Sequence, residues 1–251
     1  MEQIIYAIVS EKRGPGKLAA CLDGMKGFAG ADLFAVNVDE ISTVVSEIER
    51  ADLITDKANA IAFAGVIASL AEHFTLLPMR FGSMLDSPDA IRKMLERNYP
   101  EFQNNLQQVE NKNEFGLKVI CDSEKLMTEL LAKSEEVSHT SQQPITGNKD
   151  SVFREYVNRK LKAHRREEML LNYVDKIIAE FTGLLIQNNA VKKVKKMTST
   201  STLIDAVFLL EKDKKDELVM AIKDMQIKYP GLNFILTGPW PPYNFVDVTL
   251  K

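Results

Sequence analysis

The fold of this 251-residue chain is constrained most by an alternation of short β-branched runs with longer helical stretches. Ile4–Val9 has the β-branched and aromatic content of a buried strand. Leu33–Val38 and Ile41–Ile48 follow as the two strands of a hairpin, although the second run could also be helical, and Ala58–Phe74 is an alanine-rich helical segment. Strands that alternate with helices and hairpins predict an α+β fold, with a ferredoxin-like sandwich in the N-terminal half.

The same alternation continues as far as residue 132. Ser87 and Pro88 are typical of the start of a helix, and the apolar rhythm that follows them is interrupted near Asn98–Pro100. The further elements predicted here are strands at Leu76–Phe81 and Phe115–Cys121 and a helix at Glu124–Ala132. Together with the elements before them, they predict an N-terminal ferredoxin-like α+β domain over residues 1–136.

Residues 137–148 are mostly polar and contain Pro and Gly, which predicts a linker. We therefore expect a C-terminal α+β domain over residues 149–251. It begins with the longest helical pattern of the chain, Val152–Ile186, which would span roughly 50 Å if it is not broken near Arg165–Glu168. This helix is expected to pack on a small sheet with strands at 191–197, 204–210 and 233–237 and a helix at 216–228.

The net charge of −3 hides an asymmetry between the two halves. Residues 1–148 carry 14 Lys and Arg against 22 Asp and Glu, whereas residues 149–251 carry 18 against 13. The halves could dock on each other or on oppositely charged partners, or both could simply have solvated faces. The basic run Val191–Lys196 could likewise meet an acidic surface or protect a strand edge from unwanted pairing.

Residues that usually carry catalysis or bind metals are few and scattered. None of the three histidines and two cysteines has the spacing of a zinc site. The sequence also lacks a phosphate loop, a dinucleotide fingerprint and a serine-hydrolase elbow. We therefore expect no enzyme activity, no cofactor and no metal. His73 with Arg80 could line a ligand pocket, although a histidine at a helix end is also favoured by the helix dipole.

Composition also argues against three classes of protein. No stretch reaches the roughly 18 apolar residues needed to span a bilayer, and the N-terminus shows no secretion signal. The basic half carries too little charge to indicate nucleic acid by itself. Two cysteines without enforced pairing are typical of a reduced cytosolic setting.

Arg80 and Phe81 belong to the first of two unusual strings, Leu77-Pro78-Met79-Arg80-Phe81-Gly82. Strand alternation would place Met79 and Phe81 on one face and Arg80 on the other. If that second face is covered, Arg80 needs a carboxylate or several carbonyls. Arg80 could therefore bridge two parts of the chain internally, or it could anchor a partner together with Phe81.

Trp240 and Tyr243 belong to the second string, Thr237-Gly238-Pro239-Trp240-Pro241-Pro242-Tyr243-Asn244-Phe245. Its three prolines fix φ and remove N–H donors, which makes the string stiff. Large amphipathic aromatics such as Trp240 and Tyr243 are enriched at protein interfaces. The string could dock a partner, or it could fold the C-terminus onto the core.

The two strings, in this order and at opposite ends of the chain, resemble the gas vesicle protein F/L family. The resemblance also includes the opening strand around Tyr6 and the strand Ile204–Leu210, and its most specific part is Gly238–Val246. Ile204-Asp205 stands where the family pattern has a Leu-Asn pair, which is a modest departure. The family has no catalytic residues to transfer onto this sequence.

Membership would imply an accessory or minor structural protein of gas vesicles, which are hollow, protein-walled flotation organelles inside the cell. The implied partners are the main shell protein and other gas vesicle proteins, with no nucleic acid and no membrane. Arg80, Phe81, Trp240 and Tyr243 are then candidates for the partner interface, on the basis of residue chemistry alone. The alternative is a small-molecule-sensing or enzymatic module, because ferredoxin-like sheets often bind small ligands.

Overall fold

The computed structural model describes residues 2–12, 16–49, 57–137, 151–186, 191–196 and 202–246. Helices and strands are mixed along the chain, as the sequence predicts, and they form two compact units. Unit 1 comprises residues 1–115, 209–212 and 238–251, and unit 2 comprises residues 116–208 and 213–237. These limits differ from the predicted ones, because strand pairing brings together segments that are distant in sequence. Of the predicted linker, residues 138–148 lie outside the described residues.

Unit 1 contains an antiparallel sheet with the strand order β2-β3-β1-β4, and a short fifth strand, β5, also pairs with β1. The second run of the predicted hairpin is therefore a strand, which excludes the helical alternative. In chain order the elements are β1 (Glu2–Ser10), α1 (Lys17–Leu22), β2 (Leu33–Val38), β3 (Ile41–Ile48), α2 (Lys57–His73), β4 (Leu76–Pro78) and β5 (Met84–Leu85).

A β-bulge at Tyr6 exchanges the two faces of β1. The register with β3 shifts between Ile5 and Ala7, so Tyr6 has no residue opposite it. Because side chains alternate along a strand, the extra residue reverses which positions point to each face. One core therefore contains Ile4, Tyr6, Ala7 and Val9, and the core on the other face contains Ile5 and Ile8.

Helices cover both faces of this sheet. α1 and α2 contribute Leu18, Leu22, Phe63, Val66, Ile67 and Leu70 to the first core. The second core is closed by α3 (Pro88–Val109), which contributes Ile91, Met94, Leu95, Phe102, Leu106 and Val109. β1 has the continuous apolar run that a sheet covered on both faces needs, whereas β3 also buries the small polar residues Ser42, Thr43 and Ser46.

α3 begins where the sequence predicts, but it is not interrupted at Pro100. The hydroxyl of Ser87 accepts a hydrogen bond from the N–H of Ala90 at 3.2 Å, which caps the helix ahead of Pro88. The helix then continues through Pro100 to Val109. A proline inside a helix costs about 3 kcal/mol, and buried residues of α3 on both sides of Pro100 offset that cost.

The second sheet has the strand order β7-β8-β6-β9. Its strands are β6 (Lys112–Cys121), β7 (Val191–Lys196), β8 (Thr202–Glu211) and β9 (Leu232–Trp240), and the remaining helices are α4 (Ser123–Val137), α5 (Ser151–Ile186) and α6 (Lys215–Lys228). Within unit 2, α5 buries Val174, Ile177 and Phe181, and the Phe181 ring lies 5.3 Å from the ring of Phe208 on β8. α5 thus packs on the sheet through one apolar stripe.

α5 is continuous through Arg165–Glu168, where the sequence left a break open. Near its C-terminal end, Glu180 accepts hydrogen bonds from Lys228 at 2.7 Å and from the Tyr229 hydroxyl at 2.8 Å, which ties α5 to the end of α6. Burial, together with the Glu180 carboxylate, raises the pKa of Tyr229 to about 12. No helix in the described ranges is long and apolar enough to cross a membrane.

Candidate partner interface

The second string begins at the last residues of β9, where the backbone approaches another strand closely. Gly238 has φ 109°, and the Gly238–Pro239 peptide bond is cis. A Cβ added to Gly238 would lie 2.8 Å from the carbonyl oxygen of Glu114. Both the positive φ and this close approach require glycine at the position.

Asn244 fastens the string to the carboxylate of Glu114 through two hydrogen bonds. Its backbone N–H donates to one carboxylate oxygen of Glu114 at 2.7 Å, and its side-chain amide donates to the other at 2.6 Å. Glu114 is only 3% exposed. A buried carboxylate needs such donors because it has lost its water shell. The pair therefore fixes the position of the string.

Apolar residues of the same string contact the core. Pro241 and Pro242 are buried, and Phe245 and Val246 pack against the core that α3 closes. Two backbone hydrogen bonds, from Tyr243 to Pro241 at 2.7 Å and from Phe245 to Pro242 at 3.2 Å, turn the chain between these contacts. Part of the string thus folds onto the core, which is one of the two alternatives that the sequence left open.

The two largest aromatics of the string remain at the surface. Trp240 is 50% exposed and Tyr243 is 42% exposed. They are three residues apart, so their Cα atoms lie within about 11 Å of each other. Partial burial, and secondarily the negative charge of Glu114, raises the pKa of the Tyr243 phenol. The anchored string therefore displays two half-exposed aromatic side chains.

The first string is arranged differently, because the strand predicted over Leu76–Phe81 ends three residues early. β4 ends at Pro78, so Arg80 does not lie inside a strand. It opens a turn that is closed by a 3.0 Å hydrogen bond from the Ser83 N–H to the Arg80 carbonyl, with Gly82 at φ 86°. Arg80 is exposed. Because it is solvated, it needs no buried carboxylate, which removes the reason for an internal bridge.

Phe81 packs into the first core of unit 1. Its ring lies 5.2 Å from the ring of Phe63, edge to face, and 6.0 Å from the ring of Phe28. Such aromatic pairs add about 0.5–1.5 kcal/mol to the free energy gained by burial. Packing in the core therefore accounts for the aromatic side chain of Phe81. These contacts do not support its predicted place in an interface.

The sequence matches the family model described as gas vesicle synthesis protein GvpL/GvpF over residues 3–247. The chain belongs to this family. The predicted resemblance is thereby confirmed, and with it the gas vesicle as the location of the protein.

Relatives and solved structures agree with this assignment. Gas vesicle protein F1 of Halobacterium salinarum is 24% identical over 228 residues, which are 89% of this chain and 86% of that protein. Gas vesicle protein L1 of the same organism is 26% identical over 225 residues, which are 85% and 80% of the two proteins. The crystal structure of GvpF from Anabaena sp. PCC7120 is 18% identical, with a TM-score of 0.77, and the match covers 99% of this chain and 97% of that one. At this identity, the structural similarity establishes the fold alone.

The four residues predicted for the interface of this GvpL/GvpF family member fall into two groups. Arg80 and Phe81 lie in the turn after β4, whereas Trp240 and Tyr243 lie in the string at the end of β9. In the described part of the chain, no hydrogen bond, ion pair or ring contact joins one group to the other. Trp240 and Tyr243 therefore share one segment, and Arg80 belongs to another.

Sequence reasoning missed Glu114, although it holds the string in place. Glu114 lies in β6 directly before the buried Phe115. An acidic residue inside an apolar strand pattern was the available signal, because such a position often has a buried face. The partner residue, Asn244, is 130 positions away and had no signal of its own.

Tyr6 is a second missed feature of this family member. Its buried hydroxyl lies 2.8 Å from the Ser46 hydroxyl and accepts a hydrogen bond from the Phe28 N–H at 2.6 Å. Burial raises the pKa of this phenol, and the two hydrogen bonds oppose that shift. A Cβ at Gly27 would lie 2.3 Å from the Tyr6 hydroxyl oxygen, so the phenol fills the space of a missing side chain. The contacts make Tyr6 a structural centre of unit 1.

Among the described residues, no group of three or more His, Cys, Asp or Glu side chains could hold a metal ion. His73 is the last residue of α2, where its ring lies 6.4 Å from the ring of Phe74. Its position at the C-terminus of a helix matches the dipole explanation given by the sequence.

Proposed function

We propose that this protein is an accessory or minor structural protein of gas vesicles, required for vesicle assembly, that binds the main shell protein or another assembly factor. The observation that carries the proposal is the display of Trp240 and Tyr243 on an anchored string in a chain of the GvpL/GvpF family. Hydrogen bonds to Glu114 and apolar contacts with the core hold the string in position. Its two largest aromatic side chains nevertheless remain about half exposed to water. A protein partner that covers them would explain this arrangement.

We further propose that unit 1 is a ferredoxin-like sandwich. Support comes from the element order β1-α1-β2-β3-α2-β4 and the all-antiparallel strand order β2-β3-β1-β4. Two split β-α-β units give this order when their strands interleave. α3 then covers the sheet face opposite to α1 and α2. Such a framework holds a surface segment in place without any catalytic machinery.

The alternative, a small-molecule-sensing or enzymatic module, requires a pocket with convergent polar groups. Arg80 and His73 were its candidate residues, but Arg80 is exposed in a turn and His73 is exposed at the end of α2. A cavity within unit 2 is lined by apolar side chains only, among them Leu117, Ile177 and Phe208. No observation thus favours a reaction, and we propose a binding role without catalysis.

The test is co-flotation with gas vesicles. Vesicles are floated and washed, and the retained protein is compared with the soluble fraction by quantitative immunoblotting. We expect wild-type protein to be retained and Trp240→Ala to reduce the retained fraction about tenfold, as for a central aromatic anchor. Ile227→Ala is the matched control, because Ile227 is an exposed apolar residue of α6 with 79% exposure.

Two outcomes would contradict the proposal. Equal retention of wild type and Trp240→Ala, with both variants folded by circular dichroism, would remove the string from the interface. Absence of the wild-type protein from floated vesicles, together with no binding of purified shell protein in solution, would remove the assembly role itself.

A further inference from the structure

The edge strand β2 of unit 1 lacks the features that usually protect an exposed strand. Among the described residues, β2 (Leu33–Val38) pairs with β3 on one side and with no strand on the other. Alternate residues therefore direct their N–H and C=O groups away from the sheet. Edges are commonly protected by lysines, prolines or bulges, yet the sequence LFAVNV contains no charge and no proline, and its pairing with β3 is regular.

A second edge strand offers a comparison within the same chain. β7 is the edge strand of the second sheet, and its sequence is VKKVKK. Four lysines in six residues repel a second strand of the same kind, which is the protection that the sequence suggested. Because β2 has no such protection, we expect its free edge to pair with another strand.

An open groove of about 700 Å3 runs between β2 and α1. Its apolar floor includes Leu18, Leu22 and Leu33, and its walls include Ala19, Ala20 and Phe34. The two alanines are small, so space remains beside the strand edge where a further strand and its side chains would lie. Phe34 is 37% exposed at this edge.

Among the described residues that line the groove, the charged ones are all acidic. They are Glu11, Asp23 and Asp32. Lys26 pairs with Asp32 at 2.5 Å, and Glu11 accepts hydrogen bonds from Asn37 at 2.8 Å and from the Ser42 hydroxyl. Asp23, at the end of α1, is exposed. The groove is therefore complementary to a segment that carries cations beside apolar side chains.

We propose that an extended segment of a partner protein, with apolar residues at its centre and basic residues at its ends, adds to β2 as a further strand and lies in the groove beside α1. Main-chain hydrogen bonds to β2 supply the register, and alternate apolar side chains enter the groove over Leu18 and Leu33. Basic side chains meet Asp23 and Glu11. This surface is separate from Trp240 and Tyr243, and it rests on the proposed function only in that the occupant is a protein.

The probe is a synthetic peptide of about ten residues with two lysines at each end and alternating valine and threonine between them, long enough to span the six residues of β2. Binding to the full chain is measured by fluorescence anisotropy, and amide hydrogen exchange is followed in residues 33–38. We expect saturable binding that weakens with salt, and slower exchange of the outward amides of β2. The same peptide with glutamates in place of the lysines, and the lysine peptide with prolines at alternate central positions, should each bind at least about tenfold more weakly.

Paired variants locate the site. Ala20→Trp fills the groove and should weaken peptide binding at least about tenfold, whereas Ala68→Trp, at an exposed position of α2, should leave binding unchanged. Asp23→Lys should weaken binding about threefold or more at low salt, compared with Asp224→Lys on the exposed face of α6. Circular dichroism identifies variants that fail to fold.

Three results would overturn this proposal. The first is equal binding of the lysine and glutamate peptides. The second is a bound peptide that does not slow exchange in β2, since that would indicate charge attraction without strand addition. The third is self-association of the chain that Ala20→Trp abolishes while peptides do not bind, which would assign the groove to a second copy. Because no vesicle or shell protein is used, these results are independent of the flotation test.

Discussion

The two strings that distinguish this sequence use their aromatic residues in opposite ways. In Leu77–Gly82, the aromatic Phe81 packs against Phe63 and Phe28, and only the charged Arg80 is at the surface. In Gly238–Val246, Pro241, Pro242 and Phe245 face the core, while Trp240 and Tyr243 remain half exposed. Apolar burial and charge solvation explain the first string completely. The same principles do not explain the second string, so its two exposed aromatics are the stronger functional signal.

Phe81→Ala should have the largest effect on stability. Deletion of a partly buried phenylalanine from an aromatic cluster is expected to cost about 2–3 kcal/mol, somewhat less than for a fully buried one. The free energy of unfolding would be measured by urea denaturation, with Phe34→Ala as the control because Phe34 is exposed. Co-flotation of the folded variant should match wild type. A loss of flotation without a loss of stability would instead indicate that Phe81 contacts a partner protein.

Glu114→Gln should loosen the second string without removing its aromatics. The glutamine amide cannot accept the hydrogen bond that one carboxylate oxygen accepts from Asn244, so a partly buried donor of Asn244 loses its partner at a cost of about 1–2 kcal/mol. Thermal unfolding and flotation would both be measured. We expect reduced stability and a retained fraction that lies between those of wild type and Trp240→Ala. Glu96→Gln, at an exposed position of α3, serves as the control.

Local sequence patterns predicted the helices better than they predicted the sheets or the interface. The helix expected over Ala58–Phe74 is α2, one residue earlier, because its apolar face follows the helical period. The place of β6 between β8 and β9 was not predicted, because strand pairing over long distances has no local signal. Arg80 was placed inside a strand for a related reason: alternation of side chains does not show where pairing with β1 stops. Trp240 was chosen by residue chemistry, but its anchor at Glu114 required the structure.

Trp240→Ala should separate binding from stability. Trp240 is half exposed, so its removal should change the free energy of unfolding by no more than about 0.5–1 kcal/mol. An anchor at the centre of an interface should nevertheless raise the Kd for purified shell protein about tenfold, equivalent to 1.4 kcal/mol. Urea denaturation and a binding titration on the same preparation provide the two values. A stability loss as large as that of Phe81→Ala would make Trp240 a core residue.

Tyr243 should make a small contribution to stability, and this contribution should be lost at alkaline pH. Its pKa is raised in the folded protein, so the folded state retains the phenolic proton more strongly than the unfolded state does. This contribution is present below the unfolded pKa of about 10 and is lost as pH rises through the folded value. The urea midpoint of Tyr243→Phe should therefore fall less than that of wild type between about pH 9 and about pH 11. Parallel declines would show that Tyr243 titrates alike in both states.

Arg80→Ala should have the smallest effect, and it decides between the two roles that the sequence left open for this residue. An exposed arginine in a turn contributes less than about 0.5 kcal/mol to stability. If it lies at the rim of the interface, its removal should raise the Kd at most about threefold, and added salt should diminish the difference. Arg80→Lys should retain most of this effect, because a solvated rim charge needs no bidentate geometry. A stability loss above about 1 kcal/mol would instead show that Arg80 bridges two parts of the chain, and the first string would then lack any residue free to meet a partner.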